Sequence, residues 1–187
     1  MPAPTEVVNR VLEEYRAYLE TLKNIQIDPR FRQKFGMSDV VQVTLLEASH
    51  DLERIQAMDP AGRKRWLRRM LMNNLLDEIR KFLNRPPEVS LEPLRAAAEE
   101  SSCRVQNWLA VEDTSPSEHL MRQEEGVRLL EALAQIDARQ REALILQKYH
   151  GWTLAQIAEH MGCTTGAVAG LHARGLKALR KLLPDME

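Results

Sequence analysis

Aromatic side chains are scarce in this chain: 3 Trp, 3 Tyr and 3 Phe among 187 residues, or 5%. Any core must therefore be aliphatic and modest, although an apolar content of 44% is enough to form one. Cysteine is scarcer still. Cys103 and Cys163 are too few for a disulfide framework and form no C-x-x-C, so a reducing cytoplasm is the simplest compartment. Glycine, at 8 residues, and proline, at 9, fall short of a collagen-like or low-complexity chain. No apolar run approaches a membrane span, and Met1–Arg10 lacks a signal-peptide pattern. Gly-rich phosphate loops are absent. His50, His119, His150, His160 and His172 are scattered, and none pairs with a nucleophile. His160-Met-Gly-Cys163 falls short of the four ligands a structural metal needs. Neither an enzyme nor a cofactor-binding or metal-binding protein is expected. Net charge is missing too: 26 basic and 27 acidic side chains leave −1, which argues against a generic polycation that coats DNA.

The small sum conceals a division. Residues 63–85 are net +6 and residues 163–183 net +4, while residues 1–62 are net −3 and residues 86–125 net −6. Two basic segments with an acidic stretch between them point to nucleic acid better than a uniform excess would. Solvated basic helix faces would give the same charge map.

Helical periodicity dominates the chain and no stretch alternates at period two, so the fold class is all-α. Val8, Val11, Leu12, Tyr15, Leu19 and Leu22 recur at helical spacing. So do Val41, Leu45, Ala48, Leu52 and Ile55, with Ser38 placed to cap them, and a third pattern runs from Ala61 to Leu83 after Pro60. Residues 85–116, with Pro86, Pro87, Pro93 and Pro116, read as an acidic linker carrying a short helix near Leu94–Glu100. The organisation predicted is two small helical domains, 1–84 and 117–187, joined by that linker.

The second domain is sharply punctuated. Gly151 closes a helix begun near Asp137. Thr153 to Gln156 forms a capping box, with Trp152 and Ile157 as its hydrophobic staple. Gly162 closes the next helix, Thr164 or Thr165 caps the last one, and Pro184 stops it. Leu154–Leu171 fits a helix-turn-helix: Ala158 at the close crossing, Gly162 in the turn, and Ile157, Val168 and Leu171 as buried contacts. An ordinary helical hairpin uses the same turn chemistry; the basic last helix favours DNA. At 100° per residue, Val168, Leu171, Gly175, Leu176, Leu179 and Leu182 share one side, predicted as core, with His172 packed among them. The other side carries Gly166, Ala167, Ala169, Gly170 and Ala173, then Arg174, Lys177, Arg180 and Lys181. Small residues allow close approach and contact with thymine methyls, and the basic half suits phosphates. A small-residue face for packing another helix is the alternative.

The same projection of residues 63–84 gathers Leu67, Leu71, Leu75, Leu76, Ile79 and Phe82 on one side and Trp66, Arg69, Asn73, Asp77 and Arg80 on the other. Arginine holds phosphate, asparagine reads a base edge, and an aromatic face stacks on an unpaired base. The alternative pairs Asp77 with Arg80 and packs Trp66 under a neighbouring helix. Asn73-Asn74 is poor helix sequence, so a break into a loop is predicted there.

Trp66-Leu-Arg-Arg-Met-Leu-Met-Asn73-Asn-Leu-Leu-Asp77-Glu-Ile-Arg80 resembles, without a gap, the −10-reading part of region 2 in extracytoplasmic-function (ECF) sigma factors of the sigma-70 family. Ser38-Asp39-Val40-Val41-Gln42-Val43-Thr44-Leu45-Leu46-Glu47-Ala48 resembles the polymerase-binding part of region 2, and Leu129–Leu183 resembles region 4. The resemblance implies a sigma factor that directs core RNA polymerase to promoters and nucleates melting at the −10 element. Its partners would be the β′ clamp helices and β flap of the polymerase and promoter DNA, with control by an anti-sigma factor, by phosphorylation or by abundance left open. It implies polymerase contacts at Asp39, Gln42, Thr44 and Glu47. It implies −10 contacts at Trp66, Arg69, Asn73, Asn74, Asp77 and Arg80, with Asn73 at the base-reading position. It implies −35 contacts at Thr164, Thr165, Ala169, Gly170, Ala173, Arg174, Lys177 and Arg180. An acidic linker would suit a basic channel built for nucleic acid. The chain departs from the family at Met72, Ala169, Gly170 and Leu171, where polar or basic residues are frequent. A stand-alone helix-turn-helix regulator and a sigma-like interaction module are the competing functions.

Overall fold

The computed structural model describes residues 11–32, 36–86, 88, 91–113 and 118–184, all of whose regular structure is helical. Val8, Pro87 and Pro116 lie outside the described residues. The chain divides into two compact units, Met1–Thr114 and Ser115–Glu187. No described helix is long and apolar enough to cross a membrane.

The first unit holds α1 (Arg16–Gln26), α2 (Pro29–Arg32), α3 (Val40–Ser49), α4 (Leu52–Ala57), α5 (Pro60–Leu83) and α6 (Glu92–Asp113). Asp59 starts α5 by accepting from the Gly62 N–H at 2.8 Å, and Pro60 sits in the first turn, where its missing N–H costs nothing. The helix then runs unbroken through Asn73-Asn74, against the expected loop. Leu71, Met72, Leu75 and Leu76 are buried on either side of that pair, and this packing outweighs the weak local propensity. Met72 is fully buried, so a polar residue there would not fit. The core around α5 is largely aliphatic, with Leu19, Leu22, Ile27, Val41 and Leu45 packed inside beside the buried rings of Tyr15, Tyr18, Phe31 and Phe82; Phe31 and Phe82 lie 5.0 Å apart between centroids. The pattern expected as one helix from Val41 to Ile55 is two, α3 and α4, with a break at His50-Asp51. Asp39 rather than Ser38 stands at the N-cap of α3 and makes no side-chain capping bond.

The largest departure concerns 85–116. In place of a linker with a short helix, the segment forms the 22-residue α6, packed on α5 and α2 within the first unit. Its buried stripe is small and partly polar: Ala97, Ala98, Ser101, Ser102 and Val105. Such a stripe gives a weak hydrophobic signal but permits close approach. Pro93 lies in the first turn of α6, where proline is tolerated. Side chains of α6 also terminate its neighbours. Arg104 Nε donates to the Gln26 carbonyl at 3.0 Å, at the end of α1, and Arg95 Nη2 to the Leu83 carbonyl at 2.7 Å, at the end of α5. Helix C-termini leave such carbonyls unpaired, so these bonds dock α6 by satisfying groups that need partners. The Ser101 hydroxyl accepts from the Asp28 N–H at 3.0 Å.

The second unit holds α7 (Glu118–Gln135), α8 (Ala138–Lys148), α9 (Leu154–His160) and α10 (Thr165–Leu182). Asp137 caps α8 by accepting from the N–H groups of Arg139 and Gln140. Thr153 and Gln156 form the reciprocal capping box of α9, and Trp152 packs against the cluster containing Ile157. Gly151 and Gly162 take φ of 68° and 60°, the left-handed region that L side chains rarely adopt, and each ends a helix. Ala143, Leu146, Ile157, Ala158, Val168 and Leu171 form one buried cluster joining α8, α9 and α10.

Candidate nucleic-acid interface

On α5, Arg69, Asn73, Asp77 and Arg80 are exposed, opposite the buried Leu67–Phe82 side. Asp77 and Arg80 are close, 3.5 Å apart, as an exposed i,i+3 pair that contributes little to stability. Trp66 is half-buried, and the Arg54 guanidinium stands over its ring at 5.2 Å from the centroid. Both expectations for this helix are therefore partly met: the polar stripe faces outward, and the tryptophan is covered on one side.

Asn74 does not join that stripe. It turns toward α3, where its Nδ2 donates to Glu47 Oε2 at 2.6 Å and to Thr44 Oγ1 at 3.1 Å. The 100° step between neighbours carries Asn74 from the outward face to the side that α3 covers.

On α3, Asp39, Gln42 and Glu47 are exposed, and Gln42 Oε1 accepts from Arg16 Nη2 at 2.8 Å. Thr44 is not available to a partner. It is fully buried, and its hydroxyl donates to the Val40 carbonyl at 2.8 Å. Two residues absent from the expected set stand in the open instead: Val43, 44% exposed, and Leu46, 56% exposed. The signal was legible, since Val40-Val-Gln-Val-Thr-Leu-Leu46 holds more apolar residues than one helix face can bury. Between α3 and α5 lies a groove of about 310 Å³, lined among others by Asp39, Val43, Glu47, Asn74, Asp77 and Lys81. Lys81 Nζ is engaged by Glu78 at 2.5 Å, and that hydrogen bond raises the lysine above its ordinary range. The remaining carboxylates give the groove an acidic character.

On α10, Thr164 is the N-cap and its Oγ1 accepts from the Ala167 N–H at 3.1 Å, so this hydroxyl is committed to the helix. Thr165, Ala169, Ala173, Arg174, Lys177 and Arg180 are exposed, and Gly170 is half-buried. A Cβ on Gly170 would lie 3.1 Å from Arg174 Nη1, because that arginine folds back over the small-residue face. Leu171 is buried in the cluster shared with Ile157 and Val168 and has no room for a basic side chain. His172 is buried as expected, its Nε2 2.8 Å from the Ala143 carbonyl oxygen. Leu176 and Leu182, expected in the core, are each 40% exposed. Gly175 marks the last close approach, where a Cβ would stand 2.8 Å from Leu144 Cδ1, and α10 continues beyond its buried stretch.

Among the described residues, no group of three or more His, Cys, Asp or Glu is placed to hold a metal ion. The candidate surfaces are the exposed faces of α3 and α5 in the first unit and, separately, that of α10 in the second. A short helix, a glycine turn and a longer basic helix are shared by many DNA-binding proteins. Comparison with known proteins narrows the class. Residues 126–179 match the family model described as Sigma-70, region 4. The chain is 39% identical over 59 residues to the RNA polymerase sigma factor CarQ of Myxococcus xanthus, covering 32% of this chain and 34% of that protein. It is 30% identical over 73 residues to the ECF RNA polymerase sigma factor BldN of Streptomyces coelicolor, covering 39% and 28%. It is 29% identical over 158 residues to the ECF RNA polymerase sigma factor SigG of Mycobacterium tuberculosis, covering 79% and 42%. The matches span between 28% and 42% of the lengths of these curated relatives. Residues 126–179 therefore carry a sigma-70 region 4 domain, and the chain is similar to sigma factors of the extracytoplasmic-function type.

Proposed function

We propose that the chain is a sigma factor: a non-enzymatic, cytoplasmic subunit that carries core RNA polymerase to promoters and begins strand opening at the −10 element. The observation that carries this reading is the outward stripe of α5, where Arg69, Asn73 and Arg80 stand exposed beside the half-covered Trp66. A helix that exposes an amide, guanidinium groups and an indole together offers base-edge recognition, phosphate binding and stacking to a single strand. A base turned out of the duplex presents its full edge, so the amide of Asn73 would meet more of it there than in a groove. In this reading, Asp39, Gln42, Val43, Leu46 and Glu47 on α3 meet the β′ clamp helices. Thr165, Ala169 and Ala173 on α10 approach the −35 major groove closely, while Arg174, Lys177 and Arg180 hold its phosphates. The small front half of α10 supplies shape and methyl contacts rather than bidentate readout, so −35 recognition rests mainly on phosphates.

Run-off transcription with purified core enzyme across a promoter library tests the reading. Promoter-dependent transcripts are expected. Asn73→Ala should weaken capture of the −10 strand by roughly 1–3 kcal/mol while leaving core binding near wild type. A wild-type chain that neither binds core nor supports any transcript would overturn it.

A further inference from the structure

The exposed carboxylate of Glu47 is held in place before any partner arrives, and the hydrogen-bond bookkeeping shows by what. Glu47, as a carboxylate, only accepts. The single proton of the Thr44 hydroxyl is spent on the Val40 carbonyl at 2.8 Å, so toward Asn74 that hydroxyl also accepts. The group that lies between them must therefore supply two donors. The Asn74 amide nitrogen does so, at 2.6 Å to Glu47 and 3.1 Å to Thr44. The reverse amide orientation would set an oxygen against a carboxylate. The other end of the same face is held similarly, by Arg16 on Gln42 at 2.8 Å. Between these two fixed polar groups stand the exposed Val43 and Leu46. Apolar centres framed by ordered polar groups are the anatomy of a protein interface, and side chains ordered beforehand lower the cost of binding.

We infer that Asn74 is a positioning residue for the α3 face: it fixes Glu47 in the rotamer a partner meets, and it does not read a base. The inference rests on the sigma-factor reading and divides labour within α5, where Asn73 serves the strand and its neighbour serves the polymerase.

A double-mutant cycle tests it, with the full chain, purified core polymerase, and the variants Asn74→Ala, Glu47→Ala and both together. Loss of a charge-assisted hydrogen bond that orders an interface side chain should weaken core binding roughly three- to tenfold in Asn74→Ala. In the Glu47→Ala background the same change should have almost no further effect, because nothing remains to be positioned. Once saturated with core, the Asn74→Ala holoenzyme should bind a −10 single strand as wild type does. A purely structural role would instead lower the unfolding midpoint and weaken core binding equally in both backgrounds. Should Asn74→Ala unfold the unit, Asn74→Ser carries the same test, keeping a donor near Thr44 and losing the reach to Glu47. Additive losses, or wild-type core affinity with weakened strand binding, would overturn the role of Asn74 alone. A wild-type chain that binds no core would overturn the function and this role together.

Discussion

The guanidinium of Arg54 covers the ring of Trp66, 5.2 Å from its centroid, and leans on Asp51 at 3.8 Å. A ring face under a guanidinium is closed to a nucleobase. The competition can be weighed: a partly exposed cation–π contact is worth about 0.5–1 kcal/mol, whereas a base on an aromatic ring is worth about 1–3 kcal/mol. Stacking should win, with Arg54 displaced. We expect Arg54→Ala holoenzyme to bind a −10 single strand up to about fivefold more tightly at high salt, where phosphate attraction by the lost arginine no longer counts. Anisotropy of a labelled strand measures this. Weaker binding at high salt would mean that Arg54 helps hold the strand rather than competing with it.

The difference between Asn73 and Asn74 shows how far a sequence can be read. Periodicity places Asn73 opposite Leu71 and Leu75, and it is exposed. It places Asn74 at the edge of that face, where only the position of another helix decides between solvent and a partner. The starts of α5, α9 and α10 are legible because Pro60, Thr153 and Thr164 mark them locally. Helix α6 was not, because Ala97, Ala98 and Ser101 bury little apolar surface and the helix is held by side-chain bonds of Arg95, Ser101 and Arg104 to distant backbone groups. Leu176 and Leu182 fall on the same side of the helix projection as the buried Val168 and Leu171, yet lie 40% exposed. A helix keeps its period after it has outrun its neighbour.

Lys177 and Arg180 are exposed on the rear of α10, distant along the helix from its N-terminal half. Long cationic side chains there are suited to phosphates, which carry no sequence information. Lys177→Ala should therefore weaken binding of a −35 duplex by a similar factor whatever its sequence. It should also reduce the slope of log affinity against log salt by about 0.9. Titrations of the holoenzyme on two unrelated duplexes at several salt concentrations measure both quantities. A loss confined to one duplex would assign Lys177 to base readout.

The second unit holds a polar contact in its core. His172 Nε2 lies 2.8 Å from the carbonyl oxygen of Ala143, linking α10 to α8 beside the close approach at Gly175. Replacing the ring removes a hydrogen bond and leaves a cavity, and His172→Ala should cost about 1–3 kcal/mol of stability. Denaturant unfolding of the full chain, followed by helical signal, measures it. Midpoints equal to wild type would show that the contact contributes nothing net.

The docking of α6 makes the boundary of the first unit testable. A chain ended after Arg85 keeps α1 to α5 but loses the Ser101 hydroxyl from the Asp28 N–H, the Arg104 donor from the Gln26 carbonyl and the Arg95 donor from the Leu83 carbonyl. It also loses the buried Ala97, Ala98 and Val105. One buried valine and a few hydrogen bonds to otherwise unpaired backbone groups together amount to about 3 kcal/mol or more. For a small helical unit, that is a large share of the total stability. A fragment ended after Asp113 should therefore unfold cooperatively, and one ended after Arg85 should melt at lower temperature and bind a hydrophobic dye. The acidic side chains Glu99 and Glu100 face outward on α6, so this part of the segment's negative charge is carried on a folded surface. Equal melting of the two fragments would mean that residues 92–113 add nothing to the first unit and act as a tether after all.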